Sequence, residues 1–409
     1  MKLLTVDTID QAREKLIERV TSWRLKTEIL PLGEAMSRII AEDVYAPCDI
    51  PGFSRAVVDG YAVSAADTAG AGEAIPVFLK QAGSVPMGMP VDFSIHSGQC
   101  AYAPTGGMLP SGADAVVMAE YCENSGGNIA VYEAAAPGSG MAQAGEDCRA
   151  GDLLLRSGSL IRPQETGALA AAGITSLQVF APLNLCIIST GDELVPPDKN
   201  PRPGEVRDVN TYALKALAMK WGYRVINVQV LPDDEAKLET AVREAMLLCD
   251  IAVISGGSSQ GERDFTAKVI GRLAKPGVFT HGLALKPGKP TILGWDEDSK
   301  TLLAGLPGHP VSAMMVFEIL LGWLLDKLFG KPLSLPVPAH VTCNIPGSPG
   351  KTVLLPVILR LEDGAYSAQP VFGKSGMITT LSNADGYIII DLNKEGLKKN
   401  EPVLVHLMR

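Results

Sequence analysis

Paired glycines follow an apolar run at residues 250–261, where the chain reads DIAVISGGSSQG. The run from Ile251 to Ile254 is short enough for a buried parallel strand. Gly256 and Gly257 allow a tight turn that brings bare N–H groups close to a ligand. Because ligands gather at the carboxyl ends of strands in open α/β sheets, the loop predicts a phosphate-sized anion site. A plain strand-to-helix turn is the alternative interpretation.

Three further polar loops follow predicted strands in the same region. They are STGDEL at 189–194, KPGKP at 286–290 and LPGHPVS at 306–312. Lys286 and Lys289 supply two ammonium groups. Pro310 suits the first position of a helix, whose free N–H groups and positive dipole end favour an anion. Since strand ends share one edge of the sheet, the four loops together predict a phosphorylated ligand in a locally basic pocket.

The elements that must position these loops alternate strand and helix over residues 182–330. The predicted strands are 185–188, 223–230, 250–255, 278–285, 290–293 and 301–303, and the predicted helices are 209–221, 234–248, 265–273 and an apolar helix from about Pro310. This order is typical of a doubly wound α/β domain.

Regions outside this domain have a different pattern of apolar and turn-forming residues. Residues 8–24 and 32–44 predict two helices from their apolar spacing. Short β-like runs between residues 76 and 132, separated by glycine- and proline-rich turns, indicate a small β-rich domain in which Thr105-Gly106-Gly107 could present N–H groups to an anion or form a hairpin turn. After Gly330, a proline-rich linker leads into β runs that predict a small barrel or sandwich.

Composition limits the classes of function. The net charge of −9 argues against a nucleic-acid binder that works through general electrostatics. Seven scattered cysteines without a C-x-x-C pair suggest reduced thiols in the cytosol, with neither a zinc site nor a disulfide framework. The N-terminus lacks the pattern of a secretory signal, and the apolar stretch 311–325 is too short and too polar for a membrane span.

The motifs together resemble those of the MoeA family of molybdopterin molybdenumtransferases, which are related to the E domain of gephyrin. The resemblance covers the four loops, PGFSRAVVDGYA at 51–62, PTGG at 104–107 and the β-rich tail. The Ser-Gly-Gly-x-Ser loop alone also resembles the molybdopterin adenylyltransferases. The two upstream segments and the C-terminal domain favour the metal-inserting enzyme.

The resemblance implies a multidomain α/β plus β fold. Its expected parts are a discontinuous helical and extended linker domain at 1–50 and 140–180, a small β-rich domain at 51–139, a doubly wound α/β molybdopterin-binding domain at 181–330 and a C-terminal β-barrel-like domain at 331–409. It also implies an elongated cytoplasmic homodimer, with the site in a cleft between the α/β domain of one subunit and the β-rich domain of its partner.

The implied reaction inserts molybdate into adenylylated molybdopterin, with Mg²⁺-dependent release of AMP to give molybdenum cofactor. The expected partners are the pterin substrate and other proteins of molybdenum cofactor biosynthesis, without nucleic acid or membrane. A non-catalytic molybdopterin-binding scaffold and a molybdopterin adenylyltransferase are the alternative functions. The preference between molybdate and tungstate stays open.

The resemblance also assigns roles to individual residues. The catalytic positions are Asp59, Thr105, Asp147, Glu193 and Asp264, and the ligand-binding positions are Asp208, Ser255, Gly256, Gly257, Ser259, Lys286, Lys289, Pro307 and Pro310. Both substrates are anions, so the carboxylates need a partner. Mg²⁺ held by Glu193 or Asp264 would supply one, and a protonated acid that acts as a proton donor is the alternative.

The chain departs from the family pattern at a few positions. His309 stands where the family usually has asparagine, Gln260 stands at a usually apolar position, and Arg55-Ala56 replaces an asparagine-serine pair. Histidine can donate or accept a hydrogen bond and titrates near physiological pH. His309 could therefore preserve the local bond or alter ligand preference, with tolerated loop variation as the simpler interpretation.

Overall fold

The computed structural model describes residues 6–256, 265–330, 335–362 and 364–408. The chain forms two compact units. The first combines the residues up to Thr27 with those from Phe180 onward, and the second runs from Glu28 to Val179. Each unit has its own buried core.

A six-stranded sheet dominates the second unit. Its strands, in spatial order, are Ala115–Met118, Gly60–Val63, Gln99–Ala103, Val77–Ser84, Asn128–Val131 and Cys122–Ser125. The β-rich texture predicted between residues 76 and 132 is therefore confirmed. Gly60 lies so close to the neighbouring strand that an added Cβ would approach the carbonyl oxygen of Val117 to 2.0 Å, so no other residue fits directly after Asp59.

The helix predicted at residues 32–44 is wrong. The structure has a 3₁₀ turn at Leu32–Glu34, isolated bridges at Ile39 and Ile40, and the short strand Val44–Tyr45. The apolar spacing is real, because Ala35 and Ile40 are buried in a core cluster that includes Leu169. However, Ala35 ends the 3₁₀ turn, and Ile40 lies in an isolated bridge to Val179. The remaining elements of this region are the strands Thr27–Pro31, Arg55–Ala56, Met141–Ala142, Leu153–Leu155 and Ser176–Phe180, the 3₁₀ turns Ala65–Thr68 and Ala119–Tyr121, and the helix Pro163–Ala171.

A mixed six-stranded sheet forms the centre of the first unit. Its order is Arg224–Leu231, Asn184–Thr190, Ile251–Ser255, Thr301–Leu306, Ile292–Asp296 and Pro276–His281. The first four strands are parallel, and the last two pair antiparallel. Residues on both faces of the strand Ile251–Ser255 are buried, as a doubly wound sheet requires. The predicted α/β domain is confirmed.

Helices cover this sheet on both sides. Glu235–Leu248 packs with Phe265–Leu273, and Asn210–Trp221 packs with Pro310–Val316. The long apolar helix is buried as predicted, but it continues as a π-helix at Phe317–Gly322 and returns to α-helix at Trp323–Phe329. The guanidinium group of Arg13, on the helix Ile9–Val20, donates to the carbonyl oxygen of Ile319 in the π segment at 2.8 Å.

The strand predicted at 278–285 ends early, at His281. Leu285–Lys286 is a separate short strand that pairs in parallel with Thr352 and Val353 of the C-terminal domain. Leu285 is buried, and its backbone pairs with Thr352 of this other domain. Lys286 is therefore held between the α/β domain and the C-terminal domain.

Five strands of the C-terminal domain close into a barrel. In order they are Thr352–Glu362, Ala365–Pro370, Val337–Val341, Pro402–Leu407 and Gly386–Ile390, and the last pairs with the first. Val341, Val357 and Val405 are completely buried inside it. Of the two predicted forms, barrel and sandwich, the structure has the barrel. The short strands Ile345–Pro346 and Gly396–Leu397 pair beside it, and the helix Thr379–Ser382 follows its second strand.

No helix within the described residues is long and apolar enough to cross a membrane.

Candidate active site

A large cleft opens at the carboxyl ends of the central strands of the α/β domain. Its volume is about 1160 Å³, and its walls come from both the α/β domain and the C-terminal barrel. The α/β domain contributes the loops after the strands Asn184–Thr190, Ile251–Ser255 and Thr301–Leu306. Three of the four predicted loops therefore meet at a strand edge, and the fourth, KPGKP, joins them from the short strand Leu285–Lys286.

The cleft brings together most of the residues predicted for ligand binding. Those that line it are Glu193, Asp208, Ser255, Gly256, Lys286, Lys289, Pro307 and Pro310. Gly257, Ser259 and Asp264 lie outside the described residues. The convergence of these loops is confirmed, whereas the role of each side chain stays a prediction.

A short parallel pair of strands, Leu194–Val195 and Val206–Arg207, places the two predicted acids on one wall. The backbone N–H of Asp208 donates to the carbonyl oxygen of Val195 at 2.9 Å. The Asp208 carboxylate is buried and accepts from the backbone N–H of Thr211 at 3.1 Å. Asp208 therefore also caps the first turn of the helix Asn210–Trp221, whereas Glu193 lines the cleft with an exposed side chain.

The floor of the cleft is formed by Asn210, Ser255 and Gly308, and sequence reasoning missed Asn210. Its side-chain amide donates to the Ser255 hydroxyl oxygen and to the Gly308 carbonyl oxygen, both at 2.7 Å. A carbonyl oxygen can only accept, so the nitrogen of the amide must face Gly308. One side chain thus joins the end of the strand Ile251–Ser255 to the LPGHP loop. Its place in the DVN segment at 208–210 was the available signal.

The first glycine after the strand Ile251–Ser255 has the positive φ that a tight turn at this position predicts. Gly256 adopts φ +105°, and an added Cβ would lie 2.3 Å from the carbonyl oxygen of Thr190. Gly308 packs against Gly256 from the other side, with 3.8 Å between its ideal Cβ position and the Cα of Gly256. Gly256 therefore requires glycine, whereas a Cβ at position 308 would make only an ordinary van der Waals contact.

The cleft is locally basic although the chain is acidic. Its cationic side chains are Arg207, Lys286, Lys289, Lys351 and Lys374, and its carboxylates are Glu193, Asp208 and Asp233. An excess of positive charge in a concave site attracts anions. Sequence reasoning missed Lys351, Lys374 and Asp233, because no motif marks them and the two lysines come from the barrel.

The LPGHP loop is joined to the barrel by two hydrogen bonds to Ser375. The Nδ1 atom of His309 lies 2.7 Å from the Ser375 hydroxyl oxygen, and the backbone N–H of Val311 donates to the Ser375 carbonyl oxygen at 3.1 Å. Pro310 begins the helix as predicted. However, the Val311 N–H, which was expected to be free for an anion, already has a protein acceptor.

The second unit holds the remaining predicted residues. The Asp59 carboxylate accepts from the backbone N–H of Thr105 at 2.8 Å and from its hydroxyl group at 3.1 Å. Asp147 is exposed in a separate turn, where its N–H donates to Ile50. The structure therefore brings Asp59 and Thr105 into direct contact, whereas Asp147 makes its backbone hydrogen bond to a different segment of this unit.

Of the two forms predicted for Thr105-Gly106-Gly107, an anion-binding loop and a turn, the structure has the turn. The N–H of Thr105 donates to Asp59, that of Gly106 to Ala56, and that of Gly107 to Pro104. All three donors are used within the protein, because the loop folds as a tight turn beside Asp59. The polar groups that this turn exposes are the Asp59 carboxylate and the Thr105 hydroxyl group.

Family models match nearly the whole chain. The MoeA N-terminal region (domain I and II) matches residues 7–173, the "Probable molybdopterin binding domain" matches 186–327, and the MoeA C-terminal region (domain IV) matches 338–408. The three models follow one another without overlap, and the second contains most of the cleft loops.

Individual proteins are similar over the same length. The molybdopterin molybdenumtransferase of Haemophilus influenzae is 33% identical over 97% of this chain and 98% of its own. That of Bacillus subtilis is 30% identical over 97% and 94%. The crystal structure of the molybdopterin biosynthesis MoeA protein from Pyrococcus horikoshii OT3 superposes with a TM-score of 0.86, at 31% identity over 98% of this chain and 100% of that one. The chain therefore belongs to the MoeA family of molybdopterin molybdenumtransferases.

Proposed function

We propose that this protein is a molybdopterin molybdenumtransferase that converts adenylylated molybdopterin and molybdate into molybdenum cofactor and AMP. The observation that carries the proposal is the cleft, where strand-end loops and, among the described residues, five cationic side chains surround a volume of about 1160 Å³. The cleft is large enough for a drug-sized or nucleotide-sized ligand, and its charge suits the phosphate groups of the pterin and the molybdate oxyanion.

The lysines bind and orient the anionic groups in this proposal. Lys286 is exposed at the end of a strand that pairs with the barrel, and Lys289 is half-buried in the same turn. Gly288 fixes this turn, because it adopts φ +120° and an added Cβ would lie 2.6 Å from the Val316 side chain. Two ammonium groups on a rigid turn neutralise phosphate or oxyanion charge without reorganising.

The floor of the cleft supplies shape and polar contacts. Ser255 and Gly256 end one strand, and Pro307 and Pro310 bracket the neighbouring loop. Asn210 holds the two segments at a fixed separation through its hydrogen bonds. In the proposal these residues bind the pterin nucleotide, together with Gly257 and Ser259.

Magnesium fits the donor chemistry of the cleft. Mg²⁺ takes oxygen ligands and is usually held by one or two carboxylates together with substrate phosphates. Within the described residues no three acidic, histidine or cysteine side chains cluster as a complete metal site, so substrate oxygens would have to complete the shell. Glu193 would hold the ion, with Asp264 as the second proposed ligand. When bound, the ion would neutralise charge on the phosphoanhydride.

Asp59, Thr105 and Asp147 are the proposed catalytic residues of the second unit. Asp59 is held by two hydrogen bonds from Thr105, which fixes the position of its carboxylate. We place the reaction in a cytoplasmic homodimer that exchanges pterin with other proteins of molybdenum cofactor biosynthesis, as the sequence resemblance implies.

The direct test combines the protein with adenylylated molybdopterin, molybdate and Mg²⁺ and measures molybdenum cofactor by reconstitution of an apo molybdoenzyme. Active reconstituted enzyme supports the proposal. Pterin that stays bound without conversion would favour a scaffold, and ATP-dependent adenylylation of unmodified molybdopterin would favour an adenylyltransferase.

A further inference from the structure

The turn at residues 373–376 of the barrel forms one rim of the cleft and contains Lys374. Lys374 is exposed and belongs to a different domain from Lys286 and Lys289. Its contribution to an anionic ligand depends on where the barrel turn lies relative to the α/β domain. The contacts that fix this turn therefore decide whether Lys374 acts on the ligand.

Among the described residues, two hydrogen bonds join the turn to the α/β domain, and both involve Ser375. Its carbonyl oxygen accepts from the N–H of Val311 at 3.1 Å, and its hydroxyl group lies 2.7 Å from Nδ1 of His309. Gly376 lies beside the imidazole ring, with 4.0 Å between its ideal Cβ position and the ring carbon Cδ2. The ring is thus in contact with the turn immediately after Lys374.

The turn is compact, so that a shift at Ser375 must also move Lys374. The N–H of Met377 donates to the carbonyl oxygen of Lys374 at 2.9 Å. Gly373 packs so closely on Thr380 that an added Cβ would approach its hydroxyl oxygen to 2.3 Å. These contacts make residues 373–377 one small rigid piece whose attachment to the cleft floor runs through Ser375.

We propose that His309 is a positioning residue that fixes the 373–376 turn and thereby holds Lys374 in place to bind an anionic phosphate group of the ligand. This inference rests on the proposed function, since it concerns the same cleft. A serine hydroxyl can both donate and accept a hydrogen bond, so it can pair with Nδ1 in either tautomer of the imidazole ring.

The geometry also explains why histidine can stand at this position. Nδ1 of histidine and the amide atoms of asparagine are each bonded to Cγ, so they reach the same distance from the backbone. Asparagine at position 309 would therefore preserve the bond to Ser375, whereas glutamine would place its amide one carbon further out. The pair His309→Asn and His309→Gln is thus a matched test of the contact.

The experiment measures AMP binding by calorimetry at two salt concentrations for the wild type and the variants His309→Ala, His309→Asn, His309→Gln, Ser375→Ala and Lys374→Ala. Loss of one charged contact should raise the Kd of Lys374→Ala about tenfold and flatten its salt dependence. His309→Ala and Ser375→Ala should show the same two changes, and His309→Asn should restore most of the lost affinity where His309→Gln does not.

The double variant His309→Ala/Lys374→Ala decides between positioning and independent effects. If His309 acts through Lys374, the double variant binds AMP no more weakly than Lys374→Ala alone. The inference is overturned if the fold-changes in Kd of the two single variants multiply in the double variant. It is also overturned if His309→Ala keeps the wild-type Kd and salt slope, or if the wild type does not bind AMP. A wild type that binds AMP but forms no molybdenum cofactor would instead refute the proposed function and leave the positioning role standing.

Discussion

The side-chain amide of Asn210 donates to the carbonyl oxygen of Gly308 at 2.7 Å, and this bond joins two loops that the chain separates by almost one hundred residues. The same nitrogen lies 2.7 Å from the Ser255 hydroxyl oxygen. The cleft floor therefore depends on one neutral side chain that no charge-based argument would select.

Asn210→Ala should lower kcat/KM for the pterin substrate about tenfold, because it removes both hydrogen bonds from the floor. Asn210→Asp should be at least as harmful, since a carboxylate cannot donate to the Gly308 oxygen. Steady-state kinetics check both variants. The control is Asn393→Ala, which replaces an exposed residue of the barrel region and should change neither kcat nor KM. Unchanged kinetics in Asn210→Asp would show that the floor does not need this bond.

Lys286→Ala should weaken binding of the pterin substrate by roughly tenfold to a hundredfold, because a hydrogen bond to a charged group is lost. The dependence of KM on salt should also become shallower, since one screened charge interaction is missing. Lys215→Ala removes an exposed lysine that does not line the cleft and serves as the matched control. Equal effects of the two substitutions would mean that Lys286 contributes only net charge.

Asp59→Asn should reduce kcat by about a hundredfold with little change in melting temperature. The amide oxygen can still accept the two hydrogen bonds from Thr105, so the turn survives while the negative charge is lost. Kinetics and thermal unfolding of the same preparation check this. Wild-type turnover in Asp59→Asn would show that the carboxylate only supports the turn.

His406 should make the free energy of unfolding depend on pH. Burial, followed by the positive charge of Arg13, lowers the pKa of His406 from its ordinary value of 6.5. The unfolded chain then binds the proton more readily than the folded one, so the stability that His406 contributes is present above pH 6.5 and is lost as the pH falls through the folded-state pKa.

The matched variant is His406→Phe, which keeps a ring stacked on Tyr387, whose centroid lies 5.2 Å away. Urea unfolding between pH 5 and pH 8 should show a smaller loss of stability at low pH for this variant than for the wild type. Parallel pH profiles of the two proteins would contradict the assignment to His406.

Local sequence patterns predicted the parts of the site that are formed by residues near the end of a single strand. The helix at 265–273, the buried strand before Gly256 and the two lysines of KPGKP all lie where periodicity and turn chemistry placed them. Such features depend on contacts between residues close in the chain or on the shared edge of one sheet. These contacts give the sequence a recognisable period of apolar residues.

The other wall of the cleft could not be predicted, because it depends on how two domains pack. Lys351 and Lys374 come from barrel turns that resemble ordinary surface turns in sequence. Contacts between the domains bring them to the cleft, among them the pairing of Leu285–Lys286 with the barrel and the hydrogen bonds of Ser375. The helix prediction at 32–44 is wrong because long-range packing, which the local pattern does not show, also decides the structure there. The apolar spacing is helical, but long-range extended contacts bury those side chains instead.

In the proposed reaction, the cleft couples molybdenum insertion to release of AMP. The most direct measurement follows AMP and pterin-bound molybdenum in the same reaction, with and without molybdate, in the presence of Mg²⁺. We expect one AMP for each molybdenum inserted, and a large loss of both products when Lys286 and Lys289 are replaced together by alanine. AMP released without molybdenum insertion, or insertion that is unaffected by loss of the two lysines, would contradict it.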